Sequence, residues 1–358
     1  MTASLKFVLV CVIIAVECAN LKHGSKQLKS VILVHRHGDR TPVSTFSGDP
    51  NVQYWLYYGL SSLTDQGEQR MKDVGKYFKE RYRKIWPSEN DVYLRSSMVE
   101  RCYQSVQCLI SGAYNDNFLS NPIPIVNVPT TNDSMLYPSF HCLAFNQETV
   151  RVLYLPENVQ WYENYKPLAS YLTEKCGTCG ATLDSVFYLI DNIISSRAHN
   201  LPIPVWINET ILKQFDDIAN HYYAFFCTTE LQQRLSAGMF LNEIIKQMNA
   251  IQKHRKFQTV KIYSTHDFLI IELLSALGVI NPKPPPFGST IMFEFWSDNN
   301  ETKNFVRLYY LNDTYSENPH LLNIKSCDGD EFCSFEKFSD QITKFIPDDW
   351  VKECGQII

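Results

Sequence analysis

The stretch Val31-Ile32-Leu33-Val34-His35-Arg36-His37-Gly38-Asp39-Arg40-Thr41-Pro42 constrains the fold more than any other. It opens as an unbroken aliphatic run and ends in two histidines, two arginines and an aspartate. A run without polar alternation predicts a strand buried on both faces, as in a parallel sheet covered by helices. Burying such a strand and then crowding charge at its end is costly unless the charges meet a ligand. Two guanidinium groups flanking an imidazole suit a dianion, because each is planar, permanently charged and able to grip two oxygens.

Two further segments repeat the layout of strand, polar turn and helix. Residues 92–95 lead through Ser96-Ser97 into a helix with Val99, Cys102, Tyr103, Val106, Leu109 and Ile110 on one stripe. Residues 260–265 lead through His266-Asp267 into an apolar helix over 268–277 that Gly278 ends. Between the first two, Asp65 with Glu68 three residues on predicts a capped helix whose inner face is Met71, Val74, Tyr77 and Phe78. Strands alternating with helices predict an α/β sheet with a ligand site beyond its carboxyl ends. From residue 111 to 254 helical stripes dominate, for example Leu183, Val186, Phe187, Ile190 and then Phe240, Ile244, Met248, Ile251. This predicts a helical insertion packed over a core made of 19–110 and 255–358. Residues 291–296 and 305–311 predict a hairpin closing the sheet edge.

Composition narrows the function. The 358 residues are 45% apolar, enough for a sizeable core, and the formal net charge is −5 with acids and bases mixed. No basic run argues for nucleic acid or an anionic membrane surface. Lys6, an apolar run over 7–16 and small residues after it predict a signal peptide over 1–18, cleaved after Cys18 or Ala19. Neither this run nor the C-terminus predicts a membrane anchor, so the expectation is a secreted protein, with delivery to the lysosomal lumen second. Of eleven cysteines, nine lie beyond the leader, an odd number that leaves at least one free. Cys176-Gly177-Thr178-Cys179 has no second pair to complete a metal site, which favours disulfide bonding. Sequons at Asn132, Asn208, Asn300 and Asn312 fit secretion and predict glycosylation.

The opening turn offers His37 three roles: ligand to a phosphoryl oxygen, metal ligand or nucleophile. Adjacent guanidinium groups would repel a metal, and no carboxylate pair offsets them. The same cations disfavour imidazolium and leave the neutral form that can attack phosphorus. Surface ion pairing among Arg36, His37, Asp39 and Arg40 is the bland alternative.

Arg36-His37-Gly38-Asp39-Arg40-Thr41-Pro42 after one strand, with His266-Asp267 after another, resembles the signature pair of the histidine acid phosphatases, in their prostatic, lysosomal and insect-venom branch. Leu63-Thr64-Asp65-Gln66-Gly67-Glu68-Gln69 and Val92-Tyr93-Leu94-Arg95-Ser96-Ser97 with Arg101 are similar to two more of that family's segments. The resemblance implies a phosphoglycerate-mutase-like three-layer sandwich with a central, mostly parallel sheet and a helical insertion. It implies a secreted acid phosphatase that needs no cofactor and acts on small phosphate monoesters or phosphopeptides. His37 would be the nucleophile that forms a phosphohistidine. Arg36, Arg40, Arg101 and His266 would hold the phosphoryl oxygens, with Arg95 as the competitor to Arg101, and Asp267 would protonate the leaving alcohol. A carboxyl at its ordinary pKa of about 4 would then give a rate peaking near pH ~5. The resemblance also implies Cys142–Cys354 and Cys327–Cys333 bridges, while Cys227 is expected to pair with Cys176 or Cys179. Cys102 and Cys108, six apart on one helix, are not expected to pair with each other. Vertebrate members suggest a homodimer. The rival readings are a phytase-like inositol-phosphate phosphatase and a non-catalytic secreted binding protein or allergen on the same scaffold.

Overall fold

The computed structural model describes residues 26–114, 122–138, 141–279 and 283–355, so the expected signal peptide lies outside the described residues. The chain runs from β1 (Lys26–Arg36) through α1 (Val52–Tyr58) and α2 (Asp65–Arg81) to β2 (Tyr93–Ser97), α3 (Glu100–Tyr114) and β3 (Ile125–Val128). A helical stretch follows: α4 (Leu143–Leu153), α5 (Pro156–Glu163), α6 (Lys166–Cys176), α7 (Leu183–Ala198), α8 (Glu209–Ala224) and α9 (Glu230–Gln252). The chain returns to the sheet in β4 (Val260–Thr265), then α10 (Asp267–Ala276), β5 (Thr290–Asp298) and β6 (Asn304–Leu311). The short β7 (His320–Leu321) and β8 (Cys333–Ser334) precede α11 (Phe335–Thr343) and α12 (Trp350–Glu353).

The result is a mixed α/β sheet in the order β3-β2-β4-β1-β5-β6-β7, with β8 on β6. Strands β3, β2, β4 and β1 are mutually parallel, and β5 turns antiparallel against β1. The uninterrupted apolar run of β1 is explained by its place near the middle. Val31 and Leu33 face α2 and α3, packing with Met71, Val74, Phe78, Val106 and Leu109. Ile32 and Val34 face the opposite layer, with Phe240, Leu241 and Ile244 of α9 and Leu269 and Leu273 of α10. All four β1 side chains are fully buried. At roughly 1.5–3 kcal/mol for each such side chain, this burial is a large favourable contribution at the strand whose end carries the charged turn.

The structure departs from the sequence reading in several places. Thr64, not Asp65, caps α2, its hydroxyl accepting the Gly67 N–H at 3.3 Å. Strand β3 lies within the segment read as helical. It is four residues long and half exposed, too short to leave an apolar pattern. The β5–β6 hairpin is internal, because β7 and β8 pair beyond it.

Disulfides join Cys142 to Cys354 and Cys327 to Cys333. Cys176 pairs with Cys179, not with Cys227. The turn after α6 brings the two Cα atoms to 5.7 Å, within disulfide range. Cys227 is buried and free in another apolar cluster with Tyr223 and Ile271. Cys102 and Cys108 are also free.

Candidate active site

Sheet register gathers the polar turns. Arg36 lies opposite Thr265 across β1–β4, and Ser96 lies opposite Ser264 across β2–β4. His37, His266 and Ser97 therefore emerge at one end of the sheet, and the His37 N–H donates to Thr265 O at 3.1 Å. The turn after β1 is clamped from below. Gly38 N–H donates to the Ser105 hydroxyl of α3 at 3.0 Å. The turn also lies directly on the start of α2: a Cβ at Gly38 would stand 2.6 Å from Gly67 O, and one at Gly67 would stand 2.1 Å from Asp39 O. Those contacts are why both motifs need glycine there.

His37 is 1% exposed. Its Nδ1 lies 2.9 Å from Gly38 O, and a carbonyl can only accept, so Nδ1 carries the proton. The lone pair is left on Nε2. Burial, then Arg101, Arg36, Arg40 and His266, hold the imidazole well below its ordinary pKa, so it is neutral in mild acid. The sequence reading named only the arginines; burial is the larger cause.

The cations around His37 are held differently. Arg36 forms an ion pair with Asp267 at 2.7 Å, donates to Pro285 O at 2.5 Å and lies over the Phe287 ring. Arg40 makes a two-point pair with Asp191 of α7, at 3.0 and 2.8 Å. Arg101 has no carboxylate partner among the described residues and donates to His266 Nδ1 at 3.3 Å. Arg95 points elsewhere, to Asp133 at 2.6 Å. The Nε of Arg36, Arg40 and Arg101 is in each case buried without a hydrogen-bond partner. Three orphaned donors in one place are unfavourable on their own and suit an incoming oxyanion. His266, also near Ser97 Oγ at 3.2 Å, is pushed down to about 3, chiefly by burial and then by Arg101, so it too is neutral.

Asp267 is buried, which by itself would raise its pKa. Arg36 and Arg40, with the Tyr223 hydroxyl, outweigh that and hold the carboxyl below its ordinary value. The expectation of an ordinary carboxyl that is half-protonated near pH 4 is therefore corrected: in the free protein Asp267 is ionised in mild acid. Tyr223 O–H donates to its Oδ2 at 3.0 Å and the Phe268 N–H to its Oδ1 at 3.0 Å. Asp191 and Tyr223 were not singled out from sequence. The one available signal for Asp191 was an acid beside the apolar stripe of α7, and Tyr223 gave none.

A cavity of about 870 Å³ opens beside Arg36. One wall is apolar, including Phe187, Ile190 and Tyr223 from α7 and α8, and another carries Arg70 and Tyr315. Arg70 is itself tied to the buried Asp39, to the Thr314 hydroxyl at 2.5 Å and to the Tyr315 hydroxyl. Four carboxylates, Asp39, Asp191, Asp216 and Asp313, line the cavity with four cations, Arg36, Arg70, Arg197 and Lys283. Among the described residues no group of three or more His, Cys, Asp or Glu side chains could hold a metal ion, and no helix is long and apolar enough to cross a membrane.

Known proteins share both the sequence and this architecture. Over 346 residues the chain is 30% identical to prostatic acid phosphatase of Rattus norvegicus, covering 92% of this chain and 90% of that one. Lysosomal acid phosphatase of Xenopus laevis is 26% identical over 92% of this chain and 79% of its own length. Among solved structures, the phytase of Citrobacter braakii superposes with a TM-score of 0.72 at 17% identity, covering 92% of this chain and 99% of that one. Hafnia alvei phytase in complex with myo-inositol hexakis sulphate gives 0.70 at 16% identity, with coverage of 93% and 99%. At such identities the phytases speak for the fold alone. Residues 27–311 match the histidine phosphatase superfamily (branch 2), and the chain belongs to that family.

Proposed function

We propose that this chain is a secreted acid phosphatase that hydrolyses small phosphate monoesters through a phosphohistidine. One observation carries the reading: a neutral His37 with its Nε2 lone pair free, ringed by Arg36, Arg40 and Arg101 and close to Asp267 at the end of the sheet. His37 Nε2 attacks phosphorus, an N–P bond forms, and the ester P–O bond breaks as its electron pair goes to the leaving oxygen. Guanidinium donors stabilise the charge on the equatorial oxygens. Asp267 supplies the proton to the leaving oxygen and then takes one from the water that cleaves the N–P bond.

An ionised Asp267 in the free protein changes the account of the acidic optimum. A phosphate monoester loses its second proton near pH ~6, so below that it arrives as a monoanion carrying a proton. As the phosphoryl group draws Arg36 to itself, Asp267 loses its counter-charge beside a new anion, and its pKa rises. The proton then passes from the ester to Asp267. Free enzyme with Asp267 ionised, plus substrate monoanion, is the productive pair.

The balanced charge of the cavity supports a monoester over a polyphosphate such as inositol hexakisphosphate, which calls for a strong cationic excess. The test is phosphate release from p-nitrophenyl phosphate, glycerol 2-phosphate and phytate at pH 5, by wild type and His37→Ala. Hydrolysis of the first two that disappears in His37→Ala is expected. Preference for phytate would favour the inositol-phosphate reading. No release from any ester would favour a binding protein.

A further inference from the structure

Asp267 is held by donors from three elements. Its Oδ2 accepts from Arg36 at the end of β1 and from Tyr223 of α8, and its Oδ1 accepts from Phe268 N–H of its own helix. On the reading above, Arg36 is claimed by the phosphoryl group during turnover. The Phe268 N–H is backbone and serves the other oxygen. Among the described residues Tyr223 is then the one side-chain donor left on Oδ2. The residue is 5% exposed and its ring is wedged against Phe187, at 5.6 Å between centroids, and Phe268, at 5.1 Å. Its direction is therefore fixed by packing. Burial, then the Asp267 charge, push the phenol well above its ordinary pKa, so it remains a donor throughout the working range.

We propose that Tyr223 is a positioning residue for the general acid: its hydroxyl keeps Oδ2 of Asp267 in place and stabilises the carboxylate formed as the proton leaves for the departing alcohol. This deepens, and rests on, the phosphomonoesterase reading. A hydrogen bond to a carboxylate is stronger than one to a carboxylic acid, so the hydroxyl makes Asp267 a stronger acid at the moment of transfer. Other groups face the carboxyl too: Arg36 and Arg40 from the β1 end, Arg101 and Cys102 from α3, and the adjacent His266. Asp191 of α7 faces Tyr223 itself. None of these changes when only the hydroxyl is removed.

Tyr223→Phe is the test, because it keeps the ring in its packing. The kcat–pH profile is measured for glycerol 2-phosphate and p-nitrophenyl phosphate in wild type, Tyr223→Phe, Asp267→Asn and the double variant. For the glycerol ester, Tyr223→Phe should move the alkaline limb up by roughly one pH unit and lower the maximal kcat about 10-fold, with KM little changed. The p-nitrophenyl ester, whose leaving group needs no proton, should change less than about threefold. In the Asp267→Asn background the same substitution should do nothing further, because the proton it tunes is gone. An unmoved limb, or equal losses on both esters, would overturn the proposal. So would an undiminished Tyr223→Phe effect without Asp267. Wild type that hydrolyses neither ester would instead remove the phosphomonoesterase reading, and this inference with it. The Asp267 carboxyl titration, followed by 13C NMR in the free protein, should rise in Tyr223→Phe whatever the turnover.

Discussion

The strand-end turns and the helical layer contribute to the same site in different ways. His37, Arg36, Arg40, Arg101, His266 and Asp267 come from the ends of β1 and β4 and the start of α3, where sheet register and the Gly38–Gly67 contact fix the backbone. Asp191 and Tyr223 come from α7 and α8, line the cavity, and bond to Arg40 and Asp267 respectively. The first region presents the groups assigned to the reacting phosphorus. The second holds two of those groups in place. Substitutions in the first should abolish chemistry, and substitutions in the second should retune it.

The largest effect expected is that of His37→Ala, which removes the only nucleophile in the account. kcat should fall by ~10³-fold or more on every ester, with the fold intact by circular dichroism. Next is Asp267→Asn, which should slow glycerol 2-phosphate by ~10²–10⁴-fold and p-nitrophenyl phosphate far less. Equal losses on the two would mean that Asp267 serves the phosphate and not the leaving group.

The contrast between the regions also explains what could be read in advance. A strand buried on both faces leaves an apolar run, and the charge crowded at its end stands out against it, so Arg36, His37, Arg40, His266 and Asp267 were legible. Their partners were not. Asp191 sits on a helix whose apolar stripe would look the same without it, and nothing in the chain says that α7 crosses over Arg40. Tyr223 reads as one more aromatic in a tyrosine-rich helix. Cys227 went wrong for a similar reason: pairing depends on distances through space, and the chain turn that brings Cys179 to Cys176 leaves no periodic mark. Strand β3 was lost because four half-exposed residues carry no pattern.

Asp191→Asn sharpens the comparison from the helical side. It leaves Arg40 buried beside a neutral amide, which should destabilise the fold by roughly 3 kcal/mol, seen in denaturant unfolding. Arg40 would lose its anchor, so KM should rise while leaving-group dependence stays as in wild type. A changed leaving-group dependence would mean that the helical layer reaches the chemistry through Asp191 as well. The pH profile offers a gentler test. With His37 neutral and Asp267 ionised before substrate arrives, the alkaline limb of kcat/KM should follow the second ionisation of whichever ester is used. A limb at the same pH for esters of different acidity would place the titrating group on the protein. The smallest effect expected is that of Arg83→Ala. Its pair with Glu80 is exposed on both sides, so stability should shift by less than about 0.5 kcal/mol and rates not at all.

The central claim is a covalent bond between His37 and phosphorus, and trapping it is the most direct test. Enzyme in steady turnover on p-nitrophenyl phosphate is quenched in alkali, where phosphohistidine survives, digested and sequenced by mass spectrometry. The account predicts phosphate on Nε2 of His37, absent from His37→Ala and more abundant when release of phosphate is slowed. Phosphate on another residue, or full activity with no phosphorylated peptide, would contradict it.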